Sequence, residues 1–186
     1  FSFKPLNQSD LPSIAEHEDE DNIYSLELMF KKYKDSYPPA NTHEESHCFW
    51  LYSSGSTGRP KGTIHLHKSL LNTASLYANN ILEIRKNDIF FSAAKLFFAY
   101  GLGNALTFPL SVGATSILTK ERPTVELVNQ IIKKNNVTLF FGVPTLYAAM
   151  LNGDVKVNNF KSLRLSVSAG EALPEHLCKK WYDILG

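Results

Sequence analysis

Four Ser and Thr side chains, three glycines and two cations fall within one short run, Tyr52-Ser53-Ser54-Gly55-Ser56-Thr57-Gly58-Arg59-Pro60-Lys61-Gly62. Glycines let a backbone turn with positive φ and come close to a ligand. Successive amides in such a turn form an anion-binding concavity, and Ser and Thr hydroxyls add donors. Arg59 and Lys61 supply the positive charge that a polyphosphate needs. The chemistry indicated is phosphate binding. The alternative, a flexible Ser/Gly surface turn, is the weaker one because Pro60 and two cations interrupt the run. A Walker loop needs Gly-Lys-Ser/Thr leading into a helix, whereas Lys61 here follows Pro60 and precedes Gly62. Residues 63–66 alternate like a strand, and the apolar run 48–52 is also strand-like. The run is therefore expected to join two strands, with no helix N-terminus helping to hold the phosphates.

Those strands need a scaffold. His67-Lys68-Ser69-Leu70-Leu71 opens a helix expected to reach about Asn80. Beyond it one unit repeats: strand candidates at 88–93, 114–118, 137–141 and 163–167 alternate with helix patterns at 103–110, 125–134, 144–150 and from Pro174 onward. Such alternation means βαβ units with right-handed crossovers. The expected fold class is α/β, a mostly parallel sheet with helices on both faces plus a β-hairpin carrying the phosphate-binding run.

Ligands of such sheets bind at the carboxyl ends of strands. Three loops fall there: 95–104 after Ala93-Ala94, Gly142-Val143-Pro144-Thr145 after Phe141, and Ser168-Ala169-Gly170-Glu171-Ala172-Leu173-Pro174 after Val167. Phe97 and Phe98 fit core packing and an aromatic wall equally well; with Ala99, such a wall would leave a flat apolar slot. Lys95 fits either a carboxylate partner or a solvent-facing cation. Gly101-Leu102-Gly103 has Leu106 where a dinucleotide fingerprint needs its third glycine, which argues against a Rossmann cofactor. His43 and His47 flank two glutamates without a third ligand at fixed spacing, so no metal site is expected.

In order and spacing, the run 52–62 resembles the signature loop of the adenylate-forming superfamily: acyl-CoA synthetases, peptide-synthetase adenylation domains and firefly luciferase. The resemblance implies that Ser53, Ser54, Gly55, Ser56, Thr57, Gly58 and Lys61 hold the β- and γ-phosphates of ATP while a carboxylate attacks the α-phosphate. Lys61 and Thr57 would then take part in catalysis. The run Phe91-Ser-Ala-Ala-Lys-Leu-Phe-Phe-Ala-Tyr-Gly-Leu-Gly-Asn-Ala-Leu-Thr-Phe-Pro-Leu is similar to the benzoate-CoA ligase branch. By that resemblance Ala99, Tyr100 and Gly101 line an aryl-acid pocket. Amino-acid-activating relatives carry an Asp here, and this sequence has none between Asp88 and Asp154. The turn 168–174 is similar to the family's adenine-binding segment, which implies that Ala169, Gly170 and Glu171 lie against the base. Glu171 equally fits a favourable negative charge ahead of a helix.

The family's Tyr-Gly-x-Thr-Glu motif, ribose-binding Asp and mobile C-terminal domain with a catalytic Lys do not occur before Gly186. The chain, which starts at Phe1 without Met, is expected to be the central piece of the large domain of a longer enzyme, with negligible turnover alone. Residues 1–46 form an acidic segment with a short helix (through Ile23, Leu26, Met29 and Tyr33), and 47–186 a partial AMP-binding α/β domain. The resemblance implies ATP, Mg2+ and CoA as cofactors and a benzoate-like aromatic carboxylic acid as substrate, and leaves a homodimer of the intact enzyme open. Two other classes compete: a nucleotide-binding module without catalysis, and a phosphoryl-transfer enzyme releasing ADP.

Composition sets outer bounds. Hydrophobic residues make up 44% and charged residues 20% of 186, the balance of a globular chain with room for a core. Residues 1–46 hold 10 acidic and 4 basic residues, leaving 8 acidic and 15 basic beyond them, an excess of +7 in the main body. That suits an anionic ligand and is no nucleic-acid footprint. No apolar run approaches the ~20 residues that span a bilayer. Cys48 and Cys178 stand far apart with no signal peptide, the pattern of a reducing cytoplasm.

Overall fold

The computed structural model describes residues 31–32, 39–53, 58–153 and 160–185. The chain divides into two compact units, Phe1–Thr42 and His43–Gly186. In the first, Lys31 and Lys32 are helical; the rest of the helix expected there, and the acidic run at 16–21, lie outside the described residues.

The second unit begins with the hairpin that the sequence predicts. Strand β1 (His47–Ser53) pairs antiparallel with β2 (Lys61–Leu66), with Trp50 opposite Ile64 and Ser53 opposite Lys61. Phe49 and His65 stack across the pair at 5.0 Å. Tyr52 lies over its partner Gly62, where an added Cβ would meet the ring at 3.2 Å. Helix α1 (His67–Thr73) leaves β2 directly, its Ser69 hydroxyl accepting the Leu66 N–H at 3.2 Å, and widens into a π-helical segment, Ala74–Asn79.

Four strands follow: β3 (Ile89–Ser92), β4 (Thr115–Ile117), β5 (Leu139–Gly142) and β6 (Leu165–Ser168). They form a wholly parallel sheet in the order β4-β3-β5-β6. Helix α2 (Ala99–Leu102) runs through a second π segment, Gly103–Thr107, into α3 (Phe108–Val112). Helices α4 (Val125–Asn135), α5 (Pro144–Asn152) and α6 (Glu175–Leu185) complete the unit. Sequence accounts for α4 almost entirely. The Thr124 hydroxyl caps it by accepting the Leu127 N–H, Glu126 sits in its first turn, Lys133 and Lys134 in its last, and Asn136 closes it with φ 51°.

Alternating strand side chains build two core layers. Phe91 and Phe140, their rings 6.0 Å apart, face Val128, Ile132, Met150 and Trp181 from α4, α5 and α6. Phe90, Leu139 and Phe141 face Ala74, Ala78 and Phe108 on the opposite side. Helices therefore cover both faces, as expected.

Two expectations need correction. The stretch 95–104, read as a loop, turns helical at Ala99: Phe98 is extended (φ −93°, ψ 144°) and its carbonyl already accepts the Leu102 N–H at 2.8 Å. Gly101 makes this early start feasible, because an added Cβ would stand 2.0 Å from the Lys95 carbonyl oxygen. The helices at 67 and 103, read as regular, contain the two π segments, which bring Ala74 with Ala78 and Asn104 with Ala105 into the core.

The amino end of the sheet is closed by one polar network. Asp88, just ahead of β3, is 4% exposed. Its carboxylate accepts from Arg164 Nε at 2.8 Å and Nη2 at 2.5 Å, from the Thr138 hydroxyl at 2.9 Å and from the Arg85 N–H at 2.7 Å. Burial pushes the carboxyl up, but the bonds from Arg164, Arg85 and Thr138 outweigh it and hold it below its ordinary value.

Candidate functional site

The chain path decides where this sheet can bind something. After β3 the chain crosses through α2 and α3 on the Phe90 face, whereas after β5 it crosses through α5 on the Phe91 face. Adjacent strands β3 and β5 thus send their exits to opposite sides, leaving a crevice between their carboxyl ends; such a switch point is where doubly wound sheets bind ligands.

A cavity of about 520 Å³ occupies that crevice. Ala93 and Ala94, at the exit from β3, and Phe98 and Tyr100, around the start of α2, form one wall. Val143, Thr145 and Leu146 at the exit from β5 form another. Gly170, following β6, and Arg122 with Pro123, following β4, complete it. Gly170 has φ +96°, a conformation that side chains rarely adopt.

The aromatic wall is held by strand carbonyls left over at the sheet's end. The Tyr100 hydroxyl lies 3.2 Å from the carbonyls of both Gly142 and Val167, and the Tyr147 hydroxyl donates to Val167 at 2.9 Å. Burial pushes both phenols well above their ordinary values, so each stays protonated and able to donate. Phe97 and Phe98 are not core residues: they are 79% and 57% exposed, with ring centroids 4.6 Å apart. Lys95 follows neither sequence alternative. Its ammonium donates to the carbonyls of Thr119 and Glu121, both at 2.6 Å, tying the β3 and β4 exits together.

Buried polar groups usually have partners. Among the described residues, Ser168 Oγ at the end of β6 and Asn104 Nδ2 in the second π segment have none.

The sequence-predicted residues fall into three places. Tyr100 and Gly170 share the switch-point cavity, while Ala169 (half-buried) and Glu171 (exposed) flank Gly170 in the same turn. Ala99 points elsewhere, into a cavity of about 240 Å³ between the hairpin and α2 that it shares with Phe49, Leu51, His65 and Leu70. Gly101 is buried and serves close packing rather than lining either space. Ser53, Gly58 and Lys61 are exposed at the hairpin's end, with Gly58 at φ +75°; Ser54, Gly55, Ser56 and Thr57 lie outside the described residues. A left-handed glycine beside the exposed cations Arg59 and Lys61 fits a polyphosphate.

Arg122 is the addition that sequence reasoning missed, whereas Thr145 and Ser168 lie in loops it named without singling them out. Arg122 had a signal. The rule that singled out the exits from β3, β5 and β6 applies equally to the exit from β4, whose Lys120-Glu121-Arg122-Pro123 was passed over. Among the described residues no three His, Cys, Asp or Glu side chains gather to hold a metal, and no helix is long and apolar enough to cross a membrane.

Comparison with known proteins gives this arrangement a family. The sequence model described as AMP-binding enzyme matches residues 4–186. A benzoate–CoA ligase from Thauera aromatica is 53% identical over 163 residues, 87% of this chain and 31% of that protein. A solved benzoate CoA ligase from Burkholderia xenovorans LB400 superposes with a TM-score of 0.76 at 47% identity, over 84% of this chain and 31% of its own. The anthranilate CoA ligase AuaEII, solved with anthranoyl-AMP, gives 0.80 at 37% identity, over 91% of this chain and 33% of its own. The chain thus spans about a third of the length of these relatives. Matched by the family model over residues 4–186 and, over 87% of its own length, 53% identical to a member, the chain belongs to the AMP-binding enzyme family.

Proposed function

We propose that this chain is the acid- and nucleotide-binding part of an ATP-dependent carboxylate–CoA ligase that activates a benzoate-like aromatic acid. The observation that carries the reading is the sharing of one switch-point cavity by Tyr100, on the aromatic wall, and Gly170, in the turn that resembles the adenine segment. An acid and a nucleotide held by those two walls would be neighbours, which adenylation requires. The names of the Thauera and Burkholderia relatives favour benzoate as the acid.

In this reading the carboxylate attacks the α-phosphate of ATP, pyrophosphate leaves, and the CoA thiol then displaces AMP from the acyl adenylate. Ser53, Ser54, Ser56, Thr57 and the amides around Gly55 and Gly58 hold the departing phosphates, and Lys61 offsets their charge. Catalysis of such a step is mostly positioning and preorganised charge. The base packs against Ala169, Gly170 and Glu171. Tyr100 walls the acid, with its hydroxyl turned to strand carbonyls rather than to the ligand, while Ala99 faces the separate hairpin-side cavity and does not touch the acid. Mg2+ would arrive on the ATP phosphates, where it would offset their charge. The activity belongs to the longer protein, placed in the cytoplasm, with no nucleic-acid or membrane partner.

The test is acid-dependent ATP–pyrophosphate exchange by the intact protein with benzoate, octanoate or no acid. Exchange with benzoate alone is the expected result. Exchange with octanoate would retain the ligase and discard the aryl acid. ADP accumulation without exchange would mean phosphoryl transfer, and ATP binding with neither product a non-catalytic module.

A further inference from the structure

The switch-point cavity has apolar walls and one charged side chain, Arg122. Among the described residues its guanidinium makes no hydrogen bond or ion pair. Arg122 is exposed to solvent on one side, and on the other the apolar wall screens its attraction for an anion less than open water would. A guanidinium also presents a planar fork matched to carboxylate and phosphate oxygens.

An exposed arginine on a free loop would have little directional value, but this loop is fixed on both sides. Pro123 locks its own φ immediately after Arg122. Ahead of Arg122, the Lys95 ammonium donates to the carbonyls of Thr119 and Glu121, and the Thr119 hydroxyl bonds the Glu121 carboxylate. Lys95 is thereby committed to its own protein and leaves Arg122 as the cation facing the cavity. We propose that Arg122 captures the anionic group of a ligand entering this cavity, and that Lys95 is the positioning residue that holds it there. The inference rests on the ligase reading for its two candidate anions, the aryl carboxylate and the phosphates of CoA.

The experiment is calorimetric titration of the intact protein with two matched pairs: benzoate against neutral benzamide, and CoA against phosphate-free pantetheine. Arg122→Gln should weaken benzoate or CoA by roughly tenfold or more and leave the neutral partner unchanged; the charged ligand that loses affinity identifies the source. Lys95→Met should reproduce much of that loss, Lys95→Arg should restore it, and Lys95→Met/Arg122→Gln should bind no more weakly than Arg122→Gln alone. Unchanged affinity for both charged ligands in Arg122→Gln, or equal loss for charged and neutral ligands, overturns the capture role. Fully additive losses overturn the positioning role. Far-UV circular dichroism melts of each variant show that it is folded. Exchange measured alongside separates the two readings: binding of benzoate or CoA without exchange fails the ligase reading alone, whereas exchange and binding that both survive Arg122→Gln fail the capture role alone. A protein that binds neither benzoate nor CoA overturns both.

Discussion

The two ends of the parallel sheet are built on opposite plans. At the amino end Asp88, Arg164, Thr138 and the Arg85 amide close a network in which the carboxylate accepts four bonds. At the carboxyl end the strands run out into Ala93, Gly142 and Ala169, two tyrosines bond spare carbonyls, and Ser168 Oγ is left without a partner. One end is finished and the other is left open around a cavity. Polar side chains at the first end therefore serve stability, whereas at the second Arg122 and Ser168 are left to a ligand.

Opening the closed end should have the largest effect. Asp88→Ala removes the buried partner of a partly exposed ion pair; Arg164 keeps only the carbonyls of Leu82 and Glu83 and the Thr138 hydroxyl only the Ile89 backbone, at a cost of about 3 kcal/mol because several bonds to a charged group are lost at once. Urea unfolding of the intact protein should register that loss, while benzoate affinity, set at the other end, should change little. A stable Asp88→Ala protein with impaired binding would break the comparison. The same residue sets an acid response. Its folded-state carboxyl is held below its ordinary value. Its contribution is therefore complete above the unfolded-state value of about 3.9 and is lost as pH falls through the lower folded-state value. A plot of stability against pH should show this step in the parent protein and lack it in Asp88→Ala.

At the open end the expected losses are of function. Lys61→Ala should lower kcat/KM for adenylation roughly 10- to 100-fold, the scale of one charge-assisted contact, with unfolding unaltered because Lys61 is exposed. Pyrophosphate exchange and urea melts on the same samples check both halves. An unfolding midpoint that falls with the rate would make Lys61 a structural residue.

Gly101→Ala tests where the two plans meet. The new methyl would press on the Lys95 carbonyl, which is backbone and can yield only by moving. Overpacking of this kind costs about 1–3 kcal/mol, and here it also displaces the turn that aims Tyr100. Stability and benzoate KM should therefore worsen together, unlike in Asp88→Ala or Lys61→Ala.

Legibility in the sequence follows the range of the forces involved. Strands such as Leu139–Gly142 and the capped helix Val125–Asn135 announce themselves through local periodicity and end signals, so their order and the α/β class could be read directly. The hairpin run was legible because hydroxyls, glycines and cations lie close together in sequence. What could not be read depends on meetings between distant residues: Asp88 with Arg164, 76 positions apart, and Lys95 with the carbonyls of Thr119 and Glu121. The early start of α2 belongs to the same group, since Gly101 tucks against a backbone that only the folded chain supplies. Ala99 and Tyr100, neighbours in sequence, diverge into separate cavities because a helix rotates each successive residue by about 100°.

The smallest effect gives the finest test of the contrast between the ends. Tyr100→Phe removes one hydroxyl and keeps the ring that walls the cavity. Neither carbonyl is left bare, because Val167 still accepts from Tyr147 at 2.9 Å and Gly142 from the Ala169 amide at 3.4 Å. The expected cost is about 0.5–1.5 kcal/mol of stability, the worth of one neutral hydrogen bond, with benzoate KM nearly unchanged. If KM rises tenfold while stability holds, the hydroxyl must leave its carbonyls to meet the acid, and the open end rearranges around its ligand. If instead both stay within error, the ring alone does the work at this position, and the strand ends carry the tyrosine as a spacer rather than as a bonding partner.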